Sequence, residues 1–162
     1  MNKKLAILGA GESGTGAAIL GKKMGYDIFV SDKNLINPDL QTLFNEAAIK
    51  WESGQHSLGE IISADIVVKS PGIPSDSSLI KTLRKQGKEI ISEIELAARH
   101  TQATLIGITG TNGKTTTTML TYKILKDAGY NVGIAGNIGN SFALQVAKTD
   151  FDYYVLEISS FQ

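Results

Sequence analysis

Cysteine is absent from the 162-residue sequence, which excludes disulfides, thiolate metal sites and a cysteine nucleophile. A net charge of either sign is also missing, because 16 acidic residues balance 16 basic ones. No overall field therefore draws the protein to nucleic acid, and we expect no nucleic-acid partner. Any bound anion must be held by local geometry.

Long apolar runs are missing too, since none approaches the roughly 20 residues that a membrane-spanning helix needs. The apolar start at Leu5–Leu8 resembles a signal peptide only faintly, because Gly9, Gly11 and Glu12 interrupt it. We interpret Leu5–Leu8 as a buried strand and expect a cytoplasmic protein without membrane insertion. No pattern in the sequence indicates a protein partner.

Short apolar runs rich in β-branched residues alternate with helical stretches, which predicts an α/β fold with parallel sheet covered by helices. The predicted strands are Leu5–Leu8, Ile28–Val30, Ile66–Val68, Leu105–Ile108 and Tyr153–Ile158. The predicted helices are Gly14–Met24, Pro38–Ala47, Ser77–Gln86, Glu93–Arg99, Thr115–Ala128 and Ser141–Ala147. In the Thr115–Ala128 helix the apolar residues fall on one face, which holds Leu120, Ile124, Leu125 and Ala128.

Two glycine-rich loops lie about a hundred residues apart, each after its own strand, and predict two successive nucleotide-binding units. The first is expected to be a Rossmann-like domain over residues 1–97. The second, residues 98–162, is expected to be the beginning of a P-loop ATPase α/β domain. The polar stretch at His100–Gln102 marks the junction.

The first loop, Gly9-Ala10-Gly11-Glu12-Ser13-Gly14, matches G-x-G-x-x-G between a strand and a helix. Its glycines permit a tight turn, and backbone N–H groups with the helix dipole attract a diphosphate. Asp32, at the end of the second strand, is placed to receive ribose hydroxyls. The motif does not separate a dinucleotide from a UDP-sugar, and strand-to-helix packing alone is the alternative. The Ser70–Pro74 loop lies at the same sheet edge, either as a rigid turn or in contact with the ligand.

The second loop ends in Gly110-Thr111-Asn112-Gly113-Lys114-Thr115, between a strand and a helix. Backbone N–H groups can wrap a triphosphate there, while Lys114 neutralises its outer phosphates and Thr115 brings a hydroxyl to Mg²⁺. The strict phosphate-loop pattern asks for glycine at the position of Ile108. This departure points away from most GTPases and kinases and toward a narrower set of ATP users. The alternative is a glycine-rich turn with a solvated lysine.

The Gly110–Thr115 loop, the Gly136-Asn137-Ile138-Gly139 turn and the Leu-Glu-Ile-Ser-Ser-Phe-Gln run at Leu156–Gln162 together resemble the Mur ligases. The likeness runs over the whole chain. It implies a UDP-muramoyl-binding N-terminal domain, a central ATPase domain and a C-terminal domain, with this sequence stopping inside the central one. The implied reaction is ATP-dependent addition of D-glutamate to UDP-N-acetylmuramoyl-L-alanine through an acyl phosphate in peptidoglycan synthesis. We expect the present chain alone to lack turnover.

The motifs and the resemblance together suggest two sets of site residues. ATP is expected at Gly110, Thr111, Asn112, Gly113, Lys114, Thr115 and Thr116. The UDP substrate is expected at Ser13, Gly14, Asp32, Lys33, Asn34, Ser70, Gly72 and Asn137. Lys114 and Glu157 are the expected catalytic residues, and Thr115 and Glu157 the expected Mg²⁺ ligands.

Glu157 stands at the end of an apolar strand beside the phosphate loop, where a carboxylate has the chemistry of a Mg²⁺ ligand. The alternative is a strand-terminal glutamate that faces solvent. His56 and His100 lack metal-binding spacing, and we interpret both as surface or internally satisfied histidines.

Two other functions fit parts of the pattern. An NAD-linked Rossmann oxidoreductase would use Gly9–Gly14 and Asp32 but leaves the Gly110–Thr115 loop unexplained. A non-catalytic nucleotide-binding module would use both loops without chemistry.

Overall fold

The structure, a computed structural model, describes residues 2–159, which form two parallel β-sheets with flanking helices. The strands are β1 (Lys4–Leu8), β2 (Asp27–Asp32), β3 (Lys50–Ser53), β4 (Ile66–Lys69), β5 (Glu89–Ile91), β6 (Thr104–Ile108), β7 (Val132–Gly136) and β8 (Tyr153–Glu157). The first sheet has the order β3-β2-β1-β4-β5 and the second the order β6-β8-β7. The predicted α/β class with parallel sheets is confirmed.

The helices of the described chain alternate with these strands. They are α1 (Glu12–Lys23), α2 (Pro38–Glu46), α3 (Leu58–Ile62), α4 (Ser78–Lys85), α5 (Glu93–Ala98), α6 (Lys114–Asp127) and α7 (Phe142–Lys148). Every strand and helix predicted from the sequence is present, with ends shifted by one or two residues. The sequence did not predict β3, β5, β7 or the short α3. Among the strands that the structure describes, the three missed ones each lie at a sheet edge, with a neighbouring strand on one side only, where long apolar runs are not required.

The core of the first sheet is built around β1, whose last four residues are fully buried. Successive side chains of a strand point to opposite faces, so Leu5 and Ile7 pack with α1 while Ala6 and Leu8 pack on the other face, toward α3 and α4. Both faces are therefore covered, and the interpretation of Leu5–Leu8 as a buried strand is confirmed.

The second sheet is joined to the first by helix α7, which packs against α1 and α5. One apolar cluster contains Leu5 and Leu20 of the first layer together with Phe142, Tyr154 and Leu156 of the second. The two sheets thus share a continuous core.

Helix α6 packs on the second sheet, but much of its apolar surface is exposed to solvent. Leu120 and Ile124, on the apolar face predicted for this helix, are 57% and 59% exposed, and only Thr118 of α6 is buried. Within residues 2–159 no helix is both long and apolar enough to cross a bilayer.

Candidate functional site

The first glycine turn connects β1 to α1 at the carboxyl edge of the first sheet. Gly9 has φ +95°, a conformation that favours glycine, and a Cβ on it would lie 2.6 Å from Ser70 Oγ. A Cβ on Gly14 would lie 1.8 Å from the carbonyl oxygen of Gly9. Gly11 has open space beside it, so its missing side chain leaves room for a ligand. The motif therefore combines close packing at Gly9 and Gly14 with access at Gly11.

A cavity of about 480 Å³ opens beside this turn. Most of the expected substrate residues line it, namely Ser13, Asp32, Lys33, Asn34, Ser70 and Gly72. Gly14 and Asn137 are not among its lining residues. Gly14 is buried against the Gly9 carbonyl, and Asn137 lies beyond β7 in the second sheet. The cavity thus brings together six of these eight residues, and the other two lie elsewhere.

Asp32 ends β2 and lines the cavity. Its Oδ2 accepts the backbone N–H of Ala10 at 2.8 Å, and its Oδ1 accepts that of Asn34 at 2.8 Å. The carboxylate therefore ties the first glycine turn to the turn after β2. A carboxylate has about four acceptor positions, so each oxygen retains capacity for a ligand hydroxyl. Its contact with a ribose stays a prediction.

The Ser70–Pro74 loop also lines the cavity. Lys69 Nζ donates to the carbonyl oxygens of Ile73 at 2.8 Å and Ser70 at 3.3 Å, which holds the loop from within. Burial lowers the pKa of Lys69, and the nearby positive charge of Arg84 lowers it further. The loop is thus a braced turn that also lines the cavity, and its contact with a ligand stays a prediction.

His56 lines the same cavity, a position that its sequence context did not indicate. Its Nδ1 lies 2.7 Å from the hydroxyl oxygen of the buried Ser31, so the interpretation as a satisfied histidine is confirmed. Only the pairing of β2 with β3, which no local pattern revealed, brings the two residues together.

The second glycine loop connects β6 to α6. Gly113 has φ +76° and occupies the N-cap of this 14-residue helix without a capping side chain, which leaves the first N–H groups for a ligand. Lys114 Nζ donates to the Gly110 carbonyl oxygen at 2.7 Å, folding across the loop. The lysine therefore sits where the phosphates of a nucleotide would compete for it.

Glu157 ends β8, the middle strand of the second sheet. It pairs with Ile108 on one side and with Gly136 on the other, so it stands between the phosphate loop and the Gly136–Gly139 turn. The residue is 5% exposed, and its Oε2 has no hydrogen-bond partner among the described residues. The alternative of a solvent-facing glutamate is wrong.

A buried carboxylate oxygen without a partner is costly unless a cation compensates it. The described residues contain no group of three or more acidic or histidine side chains that could hold a metal by themselves. Mg²⁺ commonly keeps waters and takes one or two protein ligands together with substrate phosphates. The buried carboxylate of Glu157 and the hydroxyl of Thr115, in the first turn of α6, are oxygen ligands of the kind that suits a magnesium ion brought by a nucleotide.

The Gly136–Gly139 turn is pressed against Glu157. Gly136 has φ +101°, and a Cβ on it would lie 2.1 Å from the Glu157 carbonyl oxygen. The backbone N–H of Asn137 donates to that same oxygen at 2.9 Å. The turn is therefore fixed to the strand that carries the buried carboxylate.

A buried junction around Glu93 and Ser141 connects the Gly136–Gly139 turn to the first glycine turn, Gly9–Gly14. Glu93 is 5% exposed, and its Oε1 accepts the Ser141 hydroxyl and the Ala143 N–H, both at 2.6 Å. Glu12, which lines the cavity, accepts the Ser141 N–H at 3.0 Å. Burial raises the pKa of Glu93 and the charge of Glu12 raises it further, against the lowering effect of the two hydrogen bonds. Sequence reasoning missed this junction.

Two parallel sheets with a glycine-rich corner at the first strand of each define the architecture of an α/β nucleotide-binding protein. Residues 3–92 match the MurD-like N-terminal domain of Mur ligases, and residues 108–162 match the Mur ligase middle domain. The chain belongs to the Mur ligase family, and the resemblance inferred from its sequence is confirmed.

Named relatives agree with this assignment. The chain is 60% identical over 160 residues to the UDP-N-acetylmuramoylalanine–D-glutamate ligase of Bacteroides fragilis, with 99% of the chain covered. It is 37% identical over 165 residues to the ligase of the same name from Salinibacter ruber, with 98% covered. The chain spans 36% of the length of each of these relatives.

Solved structures show the same fold. A pseudomurein peptide ligase type C from Methanothermus fervidus has a TM-score of 0.57 at 29% identity and matches 98% of this chain and 33% of its own. A murein peptide ligase from Psychrobacter arcticus has a TM-score of 0.60 at 23% identity, over 96% of this chain and 37% of its own, and shows the fold alone.

Proposed function

We propose that this chain is the front portion of an ATP-dependent, Mg²⁺-using ligase that joins D-glutamate to UDP-N-acetylmuramoyl-L-alanine. The observation that carries the proposal is the buried carboxylate of Glu157, whose Oε2 has no hydrogen-bond partner within residues 2–159 and which pairs with Ile108 just before the Lys114 loop. The relatives that match the whole chain bear the name of that ligase, which supports the choice of substrates.

The first glycine turn, Gly9–Gly14, would hold the UDP end of the substrate. The N-terminus of α1 and the open space beside Gly11 suit a diphosphate, and Ser13 and Ser70 line the cavity around it. Lys33 adds a positive charge at the rim of the same cavity. Asn137 would meet the muramoyl-alanine end, on the far side of the Glu93 junction.

The second glycine loop, Gly110–Thr115, would hold ATP. The N–H groups at the start of α6 would face the phosphates, and Lys114 would exchange the Gly110 carbonyl for a phosphate oxygen. Thr115 and Glu157 would hold Mg²⁺, which when bound neutralises phosphate charge.

The proposed reaction breaks and forms two bonds in sequence. The substrate's alanyl carboxylate attacks the γ-phosphorus of ATP, ADP leaves, and the amine of D-glutamate then displaces inorganic phosphate from the acyl phosphate and loses a proton. Lys114 stabilises charge on the transferring group, and the two corners orient the reactants. No side-chain nucleophile is required.

We propose that the division between the two units lies between residues 97 and 98, in the last turn of α5 and before β6. The substrates implied by this function, ATP and a UDP-linked sugar peptide, suit the cytoplasm.

The alternative function, an NAD-linked oxidoreductase, would leave the Gly110–Thr115 loop without a role. NADH fluorescence that fails to change on titration with the protein would reject this alternative.

The test uses the full-length enzyme that contains this chain, with Glu157→Gln and phosphate release as the measurement. Loss of the anionic ligand should lower kcat by about 100-fold to 1000-fold, the range for removing one charge-stabilising group. Glu46→Gln is the matched control, because Glu46 is an exposed glutamate on α2. Unaltered turnover in Glu157→Gln, with the control also unaltered, would reject the assigned site.

A further inference from the structure

Ser31, Glu52 and His56 form a polar network under the first cavity. Ser31 is fully buried, and its Oγ lies 2.6 Å from Glu52 Oε1 and 2.7 Å from His56 Nδ1. Glu52 also accepts the Ser57 N–H at 2.6 Å and the Ser57 hydroxyl at 2.5 Å. The three residue types resemble a hydrolytic triad, but Ser31 has no access to a substrate.

The network fixes where the protons lie. Partial burial pushes the pKa of Glu52 upward, but hydrogen bonds from Ser31, Ser57 and Gln55 outweigh burial and lower the pKa of this carboxyl. Glu52 is therefore ionised at neutral pH and can only accept hydrogen bonds. The other neighbour of the Ser31 hydroxyl, the Gln55 carbonyl oxygen at 3.4 Å, is also an acceptor.

A serine hydroxyl has one proton to donate. The contact of Ser31 Oγ with Glu52 Oε1 is the shortest of the three at 2.6 Å, and only the serine can supply its proton because the ionised carboxylate has none, so Ser31 donates to Glu52. Ser31 then has only lone pairs to offer His56, so Nδ1 of His56 must carry the hydrogen. In the neutral ring Nε2 is consequently an acceptor, and it is the ring nitrogen left for a ligand in the cavity.

We propose that His56 recognises the nucleoside part of the ligand, with Nε2 accepting a hydrogen bond from a sugar hydroxyl or a base N–H. This inference rests on the proposed function, since it takes the ligand to be a nucleoside diphosphate. A diphosphate offers only acceptors at neutral pH, so a neutral His56 discriminates in favour of the sugar or base end. Uracil N3–H and the ribose hydroxyls are the donors that a uridine nucleotide presents.

The position of His56 in the sheet agrees with this role. The glycine turn follows the central β1, Asp32 ends the next strand outward, and His56 follows the outermost strand, β3. A ligand whose diphosphate lies at the glycine turn and whose sugar lies near Asp32 would bring its base or hydroxyls toward His56. The cavity lining includes all three places.

The experiment measures UDP binding to the full-length enzyme by calorimetry. His56→Leu should weaken UDP binding by roughly tenfold, the scale of one lost hydrogen bond. His56→Gln, which can place an amide oxygen near the position of Nε2, should recover part of that loss. His100→Gln is the control, because His100 contacts Tyr26 outside the cavity.

Two further binding measurements separate the sources of the effect, and NMR spectra test the tautomer. Inorganic pyrophosphate should bind His56→Leu and the parent enzyme alike. 2′-DeoxyUDP identifies the donor: a mutational loss that disappears with this ligand assigns the ribose 2′-hydroxyl, and a loss that persists assigns another sugar hydroxyl or the base. Long-range ¹H–¹⁵N correlation spectra of histidine-labelled enzyme, assigned with His56→Gln, should show the neutral Nδ1–H form.

The outcomes distinguish this inference from the proposed function. UDP binding that is equal in His56→Leu, His56→Gln and the parent enzyme rejects the role of His56 and leaves the proposed function standing. A neutral ring that carries its hydrogen on Nε2 also rejects it. A parent enzyme that does not bind UDP rejects both.

Discussion

The Glu93 carboxylate accepts the hydroxyl of Ser141 across 2.6 Å, although 48 positions separate the two residues in the chain. Ser141 immediately precedes α7, and a Cβ on Gly16 of α1 would lie 2.0 Å from its Oγ. At the other end of α7, Lys23 Nζ donates to the Ala147 carbonyl oxygen at 2.8 Å. Negative groups at the helix N-terminus and a positive one at its C-terminus complement the helix dipole, so α7 is held on the first unit at both ends.

The first prediction concerns Glu93→Gln and its dependence on pH. Since burial raises the pKa of Glu93, the folded protein binds this proton more tightly than the unfolded chain does. The free energy of unfolding of the parent protein should therefore rise relative to Glu93→Gln as the pH falls from neutrality toward the ordinary carboxyl range. Urea denaturation at several pH values measures the difference. Glu46→Gln, on an exposed position, should show no comparable trend, and a flat difference for Glu93→Gln would contradict the burial argument.

The second prediction concerns Lys114→Met in the full-length enzyme. Removing a charged donor to phosphate should weaken ATP binding by roughly 10-fold to 100-fold, because hydrogen bonds to charged groups contribute about 1.5–3 kcal/mol. Fluorescent-nucleotide competition measures the affinity. Lys81→Met, at an exposed position of α4, should bind ATP like the parent. Equal affinities in the two variants would remove Lys114 from the nucleotide site.

The third prediction compares two glycines with positive φ. Gly136→Ala adds a Cβ that lies 2.1 Å from the Glu157 carbonyl oxygen, whereas Gly25→Ala adds one with no neighbour within 4 Å. Left-handed backbone alone costs roughly 1–2 kcal/mol, so Gly25→Ala should lose about that much stability. Gly136→Ala must also displace β8, and its loss should exceed that of Gly25→Ala by about 1–3 kcal/mol. Chemical denaturation measures the free energy of unfolding of both variants. Similar losses would show that the Gly136–Gly139 turn can move to accommodate the added Cβ at little cost.

The fourth prediction concerns Asp32→Asn. Both carboxylate oxygens accept backbone N–H groups, and an asparagine offers only one oxygen, so either Ala10 or Asn34 would lose its partner. Stability should fall by about 1–3 kcal/mol, and UDP affinity should fall because the glycine turn loses its brace. Asp39→Asn, an exposed aspartate in α2, provides the comparison. If Asp32→Asn kept the parent's stability and lost only UDP affinity, Asp32 would act on the ligand rather than on the turn.

Sequence periodicity predicted the buried strands well because burial on both faces demands continuous apolar runs, as at Leu5–Leu8 and Ile66–Val68. It missed β3 and β7 because edge strands carry polar residues such as Lys50 or glycines such as Gly133. The apolar face with Leu120 and Ile124 was identified, yet it is largely exposed, because periodicity does not say which layer covers it.

Local motifs placed the glycine loops and Glu157, since each motif lies within a few residues of the chain. They did not reveal Glu93 and Ser141, or Ser31 and His56, because those contacts depend on how distant segments pack. Gly14 shows a further limit: the motif requires a glycine there, but the structure uses it for packing against Gly9 rather than to line the cavity. The last part of the Leu156–Gln162 motif, residues 160–162, lies outside the described residues.

The apolar cluster that runs from Leu5 through Phe142 to Leu156 spans both of the units predicted from the sequence, so we expect them to unfold as one cooperative unit. Heat should melt both sheets in one calorimetric transition, since neither can release its share of that cluster without exposing the other's. Severing the chain between residues 97 and 98 would then uncover the α1 surface around Ala17 and Leu20, so the isolated first piece would be prone to association.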